Sequence, residues 1–271
     1  MTRVDRYAVV GNPVEHSRSP EIHTAFARQT GEAIIYGRLL APLDDFVGTV
    51  ERFFAEGGCG LNVTLPFKEQ AFAWVGEHDE FAGTAGAVNT IVRSAGTFRG
   101  CNTDGVGLVR DLEVNQGAAL AGRRILVLGA GGAVCGVLGP LLGRAPREVV
   151  LANRTRARAA ALVDRFEDPR LRTVDWDRPG DGFDVVINGT SASTKGGELS
   201  VAREAIAGAF VYDMAYGEAA RTFLDWSRAS GAAHVSDGLG MLVEQAAEAF
   251  WLWRGVRPDS VAVLNALRRR L

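Results

Sequence analysis

Residues 125–134 read Ile-Leu-Val-Leu-Gly-Ala-Gly-Gly-Ala-Val. Ile125–Leu128 is a short apolar run of strand type, and Gly129, Ala130, Gly131, Gly132 and Ala133 turn it into a helix. This is the setting of a dinucleotide-binding turn, in which bare backbone N–H groups and a helix N-terminus face a pyrophosphate. The G-x-G-x-x-G spacing fails at its third glycine, where Val134 stands, so some spreading of helix from strand is expected. A tight strand-to-helix turn without a ligand is the plain alternative.

The next strand ends in VVLANRT, residues 149–155. An acidic residue here, about 20 positions after the glycines, would hold the ribose 2′-hydroxyl of NAD. The chain instead has Asn153, Arg154 and Thr155, with Arg158 close behind. A guanidinium at a helix start suits a 2′-phosphate, which points to NADP. An arginine that is simply solvated would look the same in sequence.

Outward from this point, short β-branched runs alternate with helical patterns, which argues for parallel α/β units. Strands are expected at Tyr7–Val10, 34–40, Gly60–Leu65, Ala87–Val92, Arg124–Leu128, Glu148–Ala152, Asp184–Asn188 and Ala209–Asp213. Helices are expected from Ser19 (as N-cap, with Pro20 at the first helical position), over Leu43–Ala55, from Pro66 to about Trp74, and from Asn102 to about Val114. Residues 94–100 read as a turn. The C-terminal part is helical from Leu239, and again over Pro258–Leu271. At roughly 150 residues per domain, 271 residues make about two domains. The change of motif near Cys101 is the natural boundary.

Thirty Lys+Arg against 32 Asp+Glu leave a net charge of −2, without the basic footprint of a nucleic-acid binder. The 33 glycines exceed the usual share of ~7% and fall in pairs and clusters, which suits close backbone approach better than disorder. No run of about 18 uncharged apolar residues is present, so no membrane span is expected. The N-terminal MTRVDRYAVV lacks a signal-peptide core, and a cytoplasmic protein is expected. Cys59, Cys101 and Cys135 form no CxxC pair, so neither a disulfide framework nor a zinc site is expected.

A second constellation lies in NVTLPFK and NTDG. Lys68 falls in the first turn of a helix, where the macrodipole disfavours a cation, and a lysine so placed is suited to proton transfer. Asp104 also falls in a first turn, where an acid is favourable for structural reasons alone. Asn62 and Asn89 sit in otherwise apolar segments, GLNVTL and AVNTIV, where an unpaired amide is costly. Ser17 and Ser19 lie together in HSRSP, and Ser19 reads equally as a cap or a ligand. Of the scattered histidines 16, 23, 78 and 234, only His16 is placed for general-base chemistry.

Taken in order, these motifs closely resemble the shikimate dehydrogenase family. GNP-x-x-HS-x-SP is matched by Gly11–Pro20, NVT-[VL]-P-[FY]-K by Asn62–Lys68 and GAVNT by Gly86–Thr90. NTDG is Asn102–Gly105, GAGGA is Gly129–Ala133, NRT is Asn153–Thr155, DMxY is Asp213–Tyr216, and DGLGMLVxQAA is Asp237–Ala247. The resemblance implies an α/β protein of two domains with the active site in the cleft between them. Residues 1–101 and 237–271 would form the substrate domain, and 102–236 a Rossmann-type NADP domain. It implies NADPH-dependent reversible reduction of 3-dehydroshikimate to shikimate, by a monomer or homodimer with small-molecule partners only and no metal.

Carried over by position, Lys68 and Asp104 are the catalytic pair. Ser17 and Ser19 bind the substrate carboxylate, with Tyr216 nearby, and Thr64, Lys68, Asn89, Asp104 and Gln245 hold the ring hydroxyls. Thr190, Met214, Gly238 and Met241 join the glycine turn and Asn153, Arg154, Thr155 and Arg158 at the cofactor. Asn62 stays outside the catalytic set. Val134-Cys135 departs from the small residue and arginine that many relatives carry, which puts one phosphate contact in doubt, and Cys101 has no functional reading. Quinate as substrate, an aminoshikimate-type enzyme and a non-catalytic NADP sensor are the competing readings.

Overall fold

The computed structural model describes residues 4–94, 96–190 and 201–270. The chain divides into two compact units. One runs to Gly107 and resumes over Val243–Arg270; the other is Leu108–Leu242.

The first unit is built on a six-stranded sheet. Its strands are β1 (Asp5–Gly11), β2 (Ile34–Leu40), β3 (Gly58–Val63), β4 (Glu77–His78), β5 (Thr90–Ser94) and β6 (Thr97–Cys101), in the order β2-β1-β3-β5-β6-β4. The sheet is mixed. β1 pairs in parallel with β2 and β3, while β5 runs antiparallel to both β3 and β6. The expectation of parallel units throughout therefore fails here, because residues 94–100, read as a turn, are mostly a hairpin return. Gly100 conceals that strand: a Cβ there would stand 2.4 Å from Val88 Cγ2. The tertiary packing demands glycine, and the glycine erases the local strand signal.

Helices α1 (Ser19–Thr30), α2 (Phe46–Ala55), α3 (Lys68–Trp74) and α4 (Glu80–Ala85) complete the N-terminal part. The core beside β1 and β3 holds Phe46, Val50, Phe53, Phe54, Leu61, Phe67 and Ile91, all buried. Several helix starts differ from expectation. Ser19 is the first helical residue rather than the N-cap, which is Arg18 without a side-chain cap bond. The second helix begins at Phe46 because Leu43 points into solvent and Asp45 takes the cap position. Pro66 and Phe67 form a turn before Lys68, with Phe67 as the cap residue. Asn89 precedes strand β5 rather than lying inside it.

The second unit is a parallel six-stranded sheet of β7 (Arg124–Leu128), β8 (Glu148–Ala152), β9 (Leu171–Val174), β10 (Val185–Asn188), β11 (Phe210–Asp213) and β12 (His234–Asp237), ordered β12-β11-β10-β7-β8-β9. Strand β10 is buried along its whole length and β7 and β8 from their second residue on, as near-continuous apolar runs in a parallel sheet should be. Helices α6 (Gly132–Leu142), α7 (Arg156–Phe166) and α8 (Glu218–Ala229) belong to this unit. Helix α5 (Asp104–Arg110) crosses the division, then gives way to a π-turn over Asp111–Asn115, where one continuous helix had been expected. Helix α9 (Leu239–Arg254) also spans the division, and α10 (Ser260–Arg268) starts from a true N-cap at Asp259.

The expected boundaries at 101 and 237 thus differ from the observed ones by six residues each. Residues 102–107 stay with the first unit because Asn102 donates to Ala87 O and Asn89 Oδ1 accepts the Thr103 amide. Among the described residues, no helix is long and apolar enough to cross a membrane.

Candidate active site

Strand β3 ends at Val63, and Thr64 follows it with its amide donating to Val10 O at 2.9 Å. A Cβ on Gly11 would meet the Thr64 methyl at 2.4 Å, so this glycine lets the threonine seat its methyl inward. The turn after it delivers Lys68 to the start of α3. Lys68 Nζ donates to Asp104 Oδ2 at 2.5 Å, with both side chains mostly but not wholly shielded from solvent. Lys68 and Lys195 are the only lysines in the sequence; Lys195 lies outside the described residues. Arginine stays protonated at any working pH, so Lys68 is the one described cationic side chain of Lys or Arg type able to give up a proton.

Asp104 is held from its other side. Asn89 Nδ2 donates to Asp104 Oδ1 at 2.8 Å and to Thr103 Oγ1 at 2.9 Å, and stands 3.4 Å from Gln245 Oε1. Asn102 Oδ1 accepts the Asp104 amide at 3.1 Å. The carboxylate therefore bridges the lysine and a fixed amide, which leaves it little freedom except to orient the ammonium.

Behind this pair runs a buried polar chain that sequence reasoning saw only in part. Tyr36 donates to Asn62 Oδ1 at 2.7 Å, Asn62 Nδ2 donates to Thr90 Oγ1 at 3.0 Å, and Thr90 donates to Asn89 Oδ1 at 3.0 Å. Asn62 is thus satisfied on both ends of its amide, as a buried amide must be. Burial pushes the Tyr36 phenol well above its ordinary range, so it donates as a neutral hydroxyl. Nothing in the local sequence marked Tyr36.

Ser17 and Ser19 are neighbours. The Ser17 hydroxyl donates to Ser19 Oγ at 3.2 Å and accepts the Ser19 amide at 3.3 Å. Arg38 holds the Ser17 carbonyl from β2, with Nη2 at 2.6 Å. Ser17, Ser19, Thr64, Lys68, Asn89, Asp104 and Gln245 all belong to the first unit. Tyr216 belongs to the second, on the loop after β11.

Cys101 is buried at the end of β6. Burial, then the nearby Asp79 carboxylate, push its thiol up to about 12, so it is an inert core thiol. His16, the histidine expected to be able to act as a base, has the neighbouring Glu15 carboxylate as a charge partner and shows no nucleophile among the described contacts.

In the second unit the glycine turn lies at the C-terminal end of β7. Gly129 has a left-handed φ of 113°, and a Cβ there would stand 3.2 Å from the Gly189 carbonyl group, so only glycine fits. Gly131 and Gly132 differ: a Cβ on either would meet nothing within 4 Å. They open onto a surface of bare backbone at the N-terminus of α6, as a pyrophosphate cradle requires. Val134 does not need the helix spread expected for it. Its side chain is fully buried over Gly189, where a Cβ would approach Val134 Cγ2 to 2.5 Å. The space missing at position 134 is supplied at position 189. Cys135, beside it, is buried, with Arg165 Nη1 at 3.9 Å from its sulfur.

At the end of β8, Asn153 Nδ2 donates to the Thr155 carbonyl at 2.8 Å and closes the turn. A cavity of about 340 Å³ opens there, lined by Asn153, Arg154, Arg156, Asp175, Trp176 and Asp177. Arg156 is tied to Asp175 at 2.8 Å. Among the described residues Arg154 has no acidic partner, so its charge is available to an anion. Arg158 is exposed and lies outside this lining, while Arg156 and Trp176, which sequence reasoning did not single out, are part of it.

The remaining expected cofactor residues fall at the ends of β10, β11 and β12. Asn188 Oδ1 accepts both the amide and the hydroxyl of Thr190, and its Nδ2 donates to Asp213. Asp213 in turn accepts the Ala215 amide, beside Met214. The Gly238 amide donates to Ala215 O at 2.9 Å, and the Met241 amide to Tyr212 Oη at 3.3 Å. A bare glycine cradle, an unpaired arginine and a cavity beside them fit a phosphorylated dinucleotide.

Three stretches match family profiles. Residues 9–91 match the shikimate dehydrogenase substrate binding domain, 112–214 match shikimate / quinate 5-dehydrogenase, and 238–268 match the shikimate 5′-dehydrogenase C-terminal domain. A protein of Alkalilimnicola ehrlichii named shikimate dehydrogenase (NADP(+)) is 60% identical over 97% of this chain and 98% of its own. One of the same name from Hahella chejuensis is 54% identical over 98% and 99%. Among solved structures, an Ael1 enzyme from Pseudomonas putida superposes with a TM-score of 0.94 at 45% identity, covering 97% of this chain and 98% of that one. The Thermus thermophilus shikimate 5-dehydrogenase, solved with NADP(H) and shikimate, superposes with 0.86 at 32% identity, covering 99% and 100%. With such identity over nearly its whole length, the chain belongs to the shikimate dehydrogenase family.

Proposed function

We infer that this chain catalyses the reversible NADPH-dependent reduction of 3-dehydroshikimate to shikimate, an oxidoreductase step of the shikimate pathway toward the aromatic amino acids. The observation that carries the mechanism is the Lys68–Asp104 pair braced by Asn89. When bound, NADPH supplies a hydride to the ketone carbon. Negative charge then grows on the ketone oxygen, and the Lys68 ammonium stabilises it and delivers a proton to that oxygen. Asp104 keeps the ammonium aimed. In the reverse direction neutral Lys68 takes the hydroxyl proton back.

Asn89, Thr64 and Gln245 present amide and hydroxyl groups for the ring hydroxyls, Ser17 and Ser19 present two hydroxyls for the carboxylate, and Tyr216 of the second unit is assigned to the substrate as well. For NADPH, the amides at Gly129–Ala133 hold the pyrophosphate. Arg154 meets the 2′-phosphate, with Asn153, Thr155 and Arg158 around it. Thr190, Met214, Gly238 and Met241 line the rest. The protein acts in the cytoplasm as a monomer or homodimer on small molecules alone.

The test is purified protein offered NADP⁺ or NAD⁺, each with shikimate or quinate, following nicotinamide absorbance. Turnover with shikimate and NADP⁺ is expected to dominate. No turnover with any pairing would sink the reading.

A further inference from the structure

The order β12-β11-β10-β7-β8-β9 puts the arginine-lined cavity on one side of the glycine turn and three strand ends on the other. A dinucleotide whose pyrophosphate lies at β7 and whose 2′-phosphate lies beyond β8 must extend its nicotinamide half over β10–β12. The segment Gly238–Met241 follows β12 at that edge.

Two buried side chains grip this segment. Tyr212 is wholly buried in β11; its hydroxyl donates to Asp111 Oδ2 at 2.6 Å and accepts the Met241 amide at 3.3 Å. Asp111, also wholly buried, takes Asn115 Nδ2 on its other oxygen at 3.0 Å. A Cβ on Gly240 would stand 1.9 Å from Asp111 Oδ1, so the carboxylate occupies the space that glycine leaves. A Cβ on Gly238 would stand 2.3 Å from Met214 O. The segment is therefore closely packed at both glycines. Asp111 also opens the π-turn, and such departures from α-helical spacing recur at functional positions.

We propose that Tyr212 and Asp111 are positioning residues that set Gly238–Met241 against the nicotinamide half of the cofactor. Tyr212 stays a donor because burial, and then the Asp111 charge, push its phenol well above the ordinary range. Its hydroxyl joins the carboxylate to the Met241 amide, so a shift at either side chain moves the segment. The proposal rests on the reading of Gly238 and Met241 as cofactor contacts.

Tyr212→Phe removes the hydroxyl with almost no change of shape. Its expected effect is a kcat lowered about tenfold through misplacement of the hydride donor, with several-fold weaker NADP⁺ binding. Affinity for adenosine 2′,5′-bisphosphate, which reports only the other half of the site, should stay within about twofold of wild type. Asp111→Asn keeps the packing on Gly240 and should show the same split in milder form; it carries the test if Tyr212→Phe does not fold. A lowered Tm with unchanged kcat, or equal weakening of NADP⁺ and the bisphosphate, would overturn the proposal by making the pair structural. Met241→Ala separates the two readings. If it lowers kcat while Tyr212→Phe does not, the contact reading stands and the positioning role falls; if neither variant affects kcat or NADP⁺ binding, both fall.

Discussion

Around Asn89 the polar groups are side chains, and each is held by another: lysine by aspartate, aspartate by asparagine, asparagine by threonine. Around Gly129–Ala133 they are backbone amides, and what matters is the absence of side chains. A cluster of the first kind fails when an atom is removed, because its neighbours are left buried and unsatisfied. A cradle of the second kind fails when an atom is added. Loss should therefore be worst in the first unit and gain worst in the second.

Lys68→Ala is the most severe test of the first half of that contrast. It removes both the proton donor and the partner of Asp104, and kcat should fall by roughly 10²–10⁴. NADPH binding should be nearly intact, since the cofactor residues belong to the other unit. A variant retaining a third of wild-type turnover would remove Lys68 from the mechanism.

The pH dependence of stability should also belong to the first unit. His23 is fully buried and stacked on Tyr36 at 4.2 Å, with the Asn62 side chain as a weak polar neighbour and no hydrogen bond of good geometry to either ring nitrogen. Burial lowers its pKa from 6.5 to about 3. The unfolded chain therefore binds this proton across that window while the folded chain does not, so stability falls as pH falls. Between pH 6 and 4 the loss is about 2–3 kcal/mol. Urea titrations of wild type and His23→Phe should differ in slope by that amount; parallel curves would mean that the ring finds water or a partner. His234, in the second unit, is exposed and has no such burial.

Arg154→Ala probes a charge of the second unit's site that has no acidic partner among the described residues. Losing a charge-assisted contact to the 2′-phosphate should weaken NADPH by about 1.5–3 kcal/mol and leave NADH unmoved. Equal weakening of both would show the residue to be structural.

Gly131→Ala tests failure by addition. The residue has extended backbone, φ −90° and ψ 179°, and its Cβ would meet nothing. The variant should fold with stability unchanged to within about 0.5 kcal/mol, yet weaken NADPH by about 1–3 kcal/mol where the methyl intrudes on the pyrophosphate. Unchanged NADPH binding would mean the phosphates lie elsewhere.

How much of this was legible in the sequence follows the same division. The glycine turn is local: strand, turn and helix adjoin in the chain, and residues 125–134 displayed the whole device. The side-chain network is not local, since Tyr36 meets Asn62 and Asn89 meets Gln245 only through sheet pairing and helix packing. Asn89 and Asn62 announced themselves as amides in apolar segments. Tyr36 looked like an ordinary strand tyrosine, and Arg156 and Trp176 like surface residues. Val134 misled for a related reason: its compensation lies at Gly189, 55 positions away in sequence. Ser94–Gly100 misled because Gly100 serves Val88 and Val75 rather than a turn.

Ser19 gives the smallest effect and the sharpest choice. As a cap, Ser19→Ala would lose about 1 kcal/mol of stability and leave kinetics alone. The helix begins at Ser19 with Arg18 in the cap position, so its hydroxyl has no capping bond to lose. The amide of Ser19 is served instead by the Ser17 hydroxyl. Ser19 Oγ accepts from Ser17 and also meets the Tyr36 phenol, and a substrate carboxylate would compete for its proton. Ser19→Ala should therefore raise the KM for shikimate by about tenfold, near 1.5 kcal/mol, the low end for a bond to a charged group because Ser17 remains. Ser17→Ala should raise KM as well and also cost some stability, since it loses the amide contact. Denaturant titration beside steady-state kinetics separates the two. Stability loss with unchanged KM at both positions would place the carboxylate elsewhere.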